Sequence, residues 1–397
     1  MKNNSYFFLL LLFFLTLFSC GRKGCTDQES YSYDSFATVD DGSCHYDYIN
    51  RVSAEGNRLT SSFDGGVVIS GVATADYNKD GDHHNSVSAV HVLKVNGAGN
   101  IDHETVLVPF GIELGSNNYS SGHVEFSDGG VLLASTGYLD STQLLRLNPA
   151  HEELWTKKID FRVNDLIHSN TNGFFLAGCI KSNSSNSNYD LIVQKIDADG
   201  YEIWTQTYPS CIAQRIVMRE NGQVSVIAFR QSQSVGDVFL VNLDETGGVQ
   251  STLVMGEHFG YQSLPRVQKQ PNGEFVSIYH EGVPALSTNS AVFNKMDSNG
   301  QLQWTREFEG RGGVYSSQGL FIVKGPYSDD SNERLSAFND SGDVLWTHSF
   351  ANRSISELIE DQDGNFILTG SIIENSVGKV WLAKIDPLGQ FIYDYAL

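Results

Sequence analysis

From about residue 50 to its end, the chain repeats one pattern seven times, and this repetition restricts the fold more than any other feature. The first mark of the pattern is an Asp or Asn followed three residues later by Gly, just after a short apolar run. It occurs as Asn96…Gly99, Asp197…Gly200, Asp244…Gly247, Asp297…Gly300, Asn339…Gly342 and Asp386…Gly389. The remaining copy, Asn148-Pro149-Ala150-His151, keeps the Asn and loses the Gly. This is hairpin chemistry: the Asp or Asn side chain opens the turn, and Gly takes the left-handed position that other residues resist.

A second mark follows four residues after each turn-closing position. The residues there are His103, Trp155, Trp204, Ser251, Trp304, Trp346 and Tyr393, at spacings of 52, 49, 47, 53, 42 and 47. A ligand platform does not need one ring per repeat, whereas packing between neighbouring sheets does, because each ring covers a large apolar area. These aromatics are therefore read as structural, with Trp204→Ala and Trp304→Ala each expected to cost about 3–5 kcal/mol. Trp381 falls outside the register, in the preceding strand of the last repeat. A third mark is a turn pair before an apolar run: Gly65-Gly66, Gly129-Gly130, Asn172-Gly173, Asn221-Gly222, Asn272-Gly273, Gln318-Gly319 and Asp363-Gly364.

Each unit thus reads as four short strands, and no helical periodicity interrupts them. Repeats of 40–50 residues with four strands apiece indicate an all-β, seven-bladed β-propeller over residues 49–397. One four-stranded sheet cannot bury both faces, so blades arranged in a ring bury each other. An open β-solenoid is the alternative, although its rungs are normally shorter. The units resemble the aspartate–glycine–tryptophan repeats of quinoprotein-like propellers, including the propeller of the outer-membrane assembly lipoprotein. That resemblance covers about residues 50–397 and implies the blade, without implying the job.

The N-terminus carries a different signal. Lys2 precedes an apolar run from Phe7 to Phe18, which closes on Leu17-Phe18-Ser19-Cys20. The run is too short to span a membrane comfortably and reads as a signal-peptide core. The closing residues resemble a bacterial lipobox, which implies removal of residues 1–19 and diacylation of Cys20. An ordinary signal peptide with a chance cysteine is the other reading. Residues 20–48 form an acidic spacer, bounded by Gly24-Cys25-Thr26-Asp27 and Asp40-Asp41-Gly42-Ser43-Cys44. It resembles a short module common in exported Bacteroidetes proteins, and a Cys25–Cys44 bridge is expected, contributing about 3 kcal/mol to a segment without a core of its own. Its acids, Asp27, Glu29, Asp34, Asp40 and Asp41, are solvated spacer charges or calcium ligands. A bridge between Cys179 and Cys211 is left open. The expected location is the cell envelope, as an outer-membrane lipoprotein on the periplasmic side or the cell surface.

The formal charge of −21 argues against nucleic-acid binding, which needs Lys and Arg to replace phosphate counterions. It equally disfavours docking onto anionic lipid through a basic patch. One loop stands out for metal chemistry. Asp76, Asn78, Asp80 and Asp82, with Gly81, match the first half of a calcium loop, but Val87 stands where the bidentate Glu belongs and His84 replaces the oxygen ligand of the ninth position. Calcium is the candidate cofactor there, and a solvated acidic turn is the competing reading. His83, His84 and His91 suggest zinc only weakly, since adjacent histidines on a strand face opposite ways. No two cysteines are adjacent, as the quinone-dependent propeller enzymes would require, and no Gly-x-Ser-x-Gly elbow is present. Carboxylate pairs such as Asp329-Asp330 leave a glycan hydrolase as the alternative function. The favoured function is an envelope recognition or scaffolding module, with a protein or glycan partner lying across one end of the ring where loops gather.

Overall fold

A run such as Val131–Thr136 has no polar–apolar alternation, and all six of its residues are buried. A strand of that kind needs cover on both faces, and a ring of stacked sheets supplies it. In the computed structural model the described residues are 22–24, 26, 35–40, 50–76, 86–107, 119–136, 141–171, 173–182, 189–219, 222–230, 236–258, 266–270, 272–283, 288–297, 301–325, 332–374 and 377–397. They form seven four-stranded antiparallel sheets, each made from four consecutive strands. The blades span 50–107, 119–159, 162–208, 212–258, 266–309, 313–350 and 353–396, and are numbered 1 to 7 in that order. A short parallel pair, Lys23–Gly24 with Val39–Asp40, precedes them.

Each interface between neighbouring blades holds one apolar cluster. Between blades 3 and 4, for example, Phe175, Leu191 and Val193 meet Ala213, Val226 and Leu243. The ring closes in the same way: Val380, Leu382 and Tyr393 of blade 7 pack on Leu59, Ile69 and Leu93 of blade 1. Among the described residues no strand of one end is borrowed by the other, and side-chain packing seals the circle.

The turns carry the chemistry expected of them. Asp197 Oδ1 accepts from the backbone N–H groups of Asp199 and Tyr201 at 3.0 and 2.8 Å, and Gly200 takes φ 77°. Where the glycine is missing, His151 itself adopts φ 60°, and its ring lies 5.1 Å from that of His103.

The in-register aromatics sit on the fourth strands, opposite residues of the third: Trp155 faces Arg146, Trp204 faces Lys195, Trp304 faces Lys295, Trp346 faces Ala337 and Tyr393 faces Lys384. Several reach the turn between the third and fourth strands of the next blade. Trp204 Nε1 donates to Glu245 O at 2.9 Å, and Trp346 Nε1 to Pro387 O at 3.1 Å. A Cβ on Gly247 would come within 2.9 Å of the Trp204 ring, so this glycine serves the turn and the ring together. The four tryptophans of the register are nevertheless half-buried, because the fourth strand is the outer edge of the blade. The fully buried tryptophan is Trp381, on the third strand of blade 7. Cys179 and Cys211 are both buried thiols, without a bridge between them.

Candidate ligand site in the central channel

The first strand of each blade lines the axis, touching the first strands of its neighbours around most of the ring. Five of these strands carry a bulge at the same place, leaving Asn57, Ser121, Asn164, Gln214 and Ser356 without a partner across the ladder. A bulge re-aims the residue that follows it. The residues that follow are Arg58, Gly122, Asp165, Arg215 and Glu357, and Arg266 of blade 5 occupies the same register opposite Ile278. Every one stands four residues before the residue that opens its blade's first hairpin turn (Ser62, Phe126, Ser169, Arg219, Gln270 and Asp361). Blade 6 has Gly312 at that station, four before Ser316. The side chain of Lys324 runs past it, with Cε 4.0 Å from where a Cβ on Gly312 would lie.

One layer of the channel is therefore a ring of charge drawn from six blades. Glu357 is its hub: Oε1 lies 3.0 Å from Arg266 Nη1, and Oε2 lies 3.6 Å from Arg215 Nη2 and 3.9 Å from Arg58 Nη1. Asp165 Oδ1 sits 3.6 Å from Arg215 Nη1, while its Oδ2 accepts from Ile216 N at 3.1 Å. Blade 2 contributes only Gly122, where a Cβ would fall 2.8 Å from Leu166 Cδ2. Arg58 spans past that gap and donates to Asn164 O of blade 3 at 2.9 Å.

Arg58, Arg215, Arg266 and Lys324 against Asp165 and Glu357 leave a surplus of two positive charges, in a chain whose formal charge is −21. The titrations follow from this crowding. Burial pushes the Asp165 carboxyl up to about 6, against the pull of Arg58. Burial, followed by repulsion from Arg266 and Arg311, brings the Lys324 ammonium down to about 7, with Glu357 and Glu333 opposing. Above the ring a cavity of about 480 Å³ extends towards the first-hairpin turns of blades 6 and 7. Asp165, Arg215, Arg266 and Glu357 line its base, and Gln268 and Ser317 its wall.

The residues singled out in the sequence lie elsewhere. Trp155, Trp204, Trp304, Trp346 and Tyr393 are on the outer strands, away from this channel. Asp76 ends the strand Val67–Asp76, where its backbone pairs with Asn50 and Ser86. Asn78, Asp80 and Asp82 lie outside the described residues, as do His83, His84, Cys20, Cys25, Cys44 and the Asp329-Asp330 pair. His91 is buried on a third strand and pairs with Glu104 at 2.9 Å. The channel ring was missed because no single copy of it looks unusual. Aligning the repeats on their first turns would have exposed it, since the station four residues upstream is charged in five of seven blades.

No family model matches the chain, and no curated protein does. Solved structures do match. The Dos1 propeller is similar at a TM-score of 0.52 and 12% identity, over 88% of this chain and 86% of that one. Pyrococcus horikoshii acylaminoacyl peptidase gives 0.51 and 9%, over 86% of this chain and 52% of the peptidase. A Synechocystis apocarotenoid oxygenase mutant gives 0.50 and 10%, over 88% and 94%. At such identities the likeness is one of fold, and the propeller serves enzymes as well as other proteins.

Proposed function

We propose that this chain is an envelope-anchored recognition module that takes a protein partner at the mouth of its central channel, on the face carrying the first-hairpin turns. The observation that carries this reading is the charged cavity on the axis, to which several blades contribute polar groups at one place. The lipobox resemblance at Cys20 supports the anchor. Pulldown from the organism's own membranes tests the binding face, with Gln318→Trp and Gln362→Trp obstructing the mouth and Leu154→Lys altering the rim. All three residues are exposed. The mouth variants should lose a partner that the wild type and the rim variant retain, with melting temperatures unchanged. Loss through the rim variant alone would place the interface elsewhere.

A hydrolase is the second reading, favoured by one observation: Asp165, held near 6, and the Arg-bound Glu357 both flank Arg215 at the base of the cavity, as a proton donor and its companion would. Turnover of a glycan or peptide library that disappears in Asp165→Asn would replace the recognition reading. The acidic loop around Asp76, Asn78, Asp80 and Asp82 is proposed to take calcium weakly, in the millimolar range of extracellular modules. Calcium should then raise the melting temperature of the wild type and not of Asp76→Ala/Asp80→Ala.

A further inference from the structure

The carboxylates around the axial cavity are already engaged. Glu357 is held by Arg266, and Asp165 by Ile216 N. Glu360 accepts from Ser317 N and Oγ at 2.7 to 2.9 Å, and Asp361 pairs with Lys384 at 2.7 Å. The donors are not all spent. Arg266 gives its hydrogens to Leu358 O and Ser356 O. Arg215, by contrast, faces Asp165 and Glu357 at 3.6 Å on each side, beyond a normal N–H···O bond, so its fork is attracted without being filled. Gln268, which lines the cavity, uses its Oε1 to accept from Tyr315 N at 3.1 Å, so its amide can still donate.

We propose that this cavity is a carboxylate site, in which the Arg215 guanidinium and the Gln268 amide receive the terminal carboxylate of a peptide chain. The inference rests on the recognition reading above and names its ligand chemistry. A guanidinium matches the two coplanar oxygens of a carboxylate with two parallel hydrogen bonds. The ligand presents one planar carboxylate at this end, matching the fork of Arg215 where it stands between Asp165 and Glu357. A volume of about 480 Å³ suits one to three residues of a chain end entering from the turn face.

The same ring sets the pH dependence. Asp165 faces Arg58, Arg215 and Glu357, and Lys324 faces Arg266, Arg311, Glu333 and Glu357. Both titrate near neutrality, and protonating either one adds positive charge, so binding tightens as pH falls from 8 to 6.

Calorimetry on the full chain tests the site with four probes: acetyl-trialanine with a free C-terminus, its C-terminal amide, acetate and inorganic phosphate. The free-acid peptide should bind at least tenfold tighter than the amide and at least threefold tighter at pH 6 than at pH 8. Arg215→Lys keeps the positive charge between Asp165 and Glu357 but loses the fork, and should weaken binding about tenfold while the protein still melts cooperatively. Gln268→Leu, which leaves the ring intact, should weaken it as well. Acetate binding as tightly as the peptide would keep the carboxylate site and make a small free acid its ligand. Equal binding of acid and amide, tighter binding of phosphate, or no binding to folded protein would overturn the proposal. If those arms fail while the mouth variants still lose their partner, the recognition reading stands and only the carboxylate assignment falls. The converse result would remove the reading and keep the site.

Discussion

His123 shows what a polar ring inside a blade interface requires. Its two nitrogens are hydrogen-bonded to Thr60 Oγ1 and Ser70 Oγ, each at 2.7 Å, and the ring is 3% exposed. Both partners belong to blade 1, so this histidine ties blades 1 and 2 together in its neutral form. Burial, with Arg58 adding repulsion, pulls its pKa from 6.5 down to about 4. A folded pKa below the unfolded one means that the unfolded chain takes the proton first. The contribution to stability is whole above pH 6.5 and disappears as pH falls towards 4, a loss of roughly 3 kcal/mol. His151 has the same direction and similar depth, with both ring nitrogens buried and unpartnered. Asp165 works the other way: its raised pKa favours the fold below the ordinary carboxylate range, and that advantage goes as pH rises through about 6. Urea unfolding between pH 4 and 7.5 separates these effects. A His123→Gln variant should start less stable and show a flatter acid limb, by roughly 3 kcal/mol over that window. An unchanged acid limb would remove His123 from the account.

At the scale of the strand, position within the blade decides what a side chain contributes. The second and third strands are covered on both faces, so Trp381 on a third strand is 0% exposed. The fourth strand is an edge with one face towards solvent, so a ring there packs one side on the inter-blade cluster and the turn of the next blade and leaves the rest exposed. Trp204→Ala should therefore cost about 1.5–2.5 kcal/mol, below the range expected from the repeat pattern alone, and Trp381→Ala the full 3–5 kcal/mol. Thermal melts rank the two, and a smaller loss for Trp381 would contradict the difference in burial. The turn pairs and the aromatic register were legible because hairpins and inter-blade packing demand particular residues. The bulges were not, since a bulge is a mismatch between two strands, and the skipped residues Asn57, Asn164 and Gln214 are ordinary polar residues.

For the whole ring, closure is the weakest topological point, because among the described residues blades 7 and 1 are joined through side-chain packing. Val380 is 0% exposed at that seam, and a charge there has no partner to meet. Val380→Asp should abolish the cooperative melt or open the ring, seen as a larger radius of gyration in solution scattering. The same change at exposed Val377 should do neither. The proposed anchor belongs to this scale too: Cys20→Ser should leave the protein soluble after lysis or accumulate its precursor, and fractionation beside the wild type decides between anchored and free. The sequence alone determined the class of fold and the number of blades, because turn residues and apolar runs act over a few positions and repeat with the structure they make. Only the tertiary structure decided where the ligand chemistry lies. Arg58, Asp165, Arg215, Arg266 and Glu357 are scattered over some three hundred residues. What brings them within ion-pair distance is the circle of blades and, for all of them but Arg266, the shared bulge that aims each at one axis, and neither is a property of any local stretch of chain.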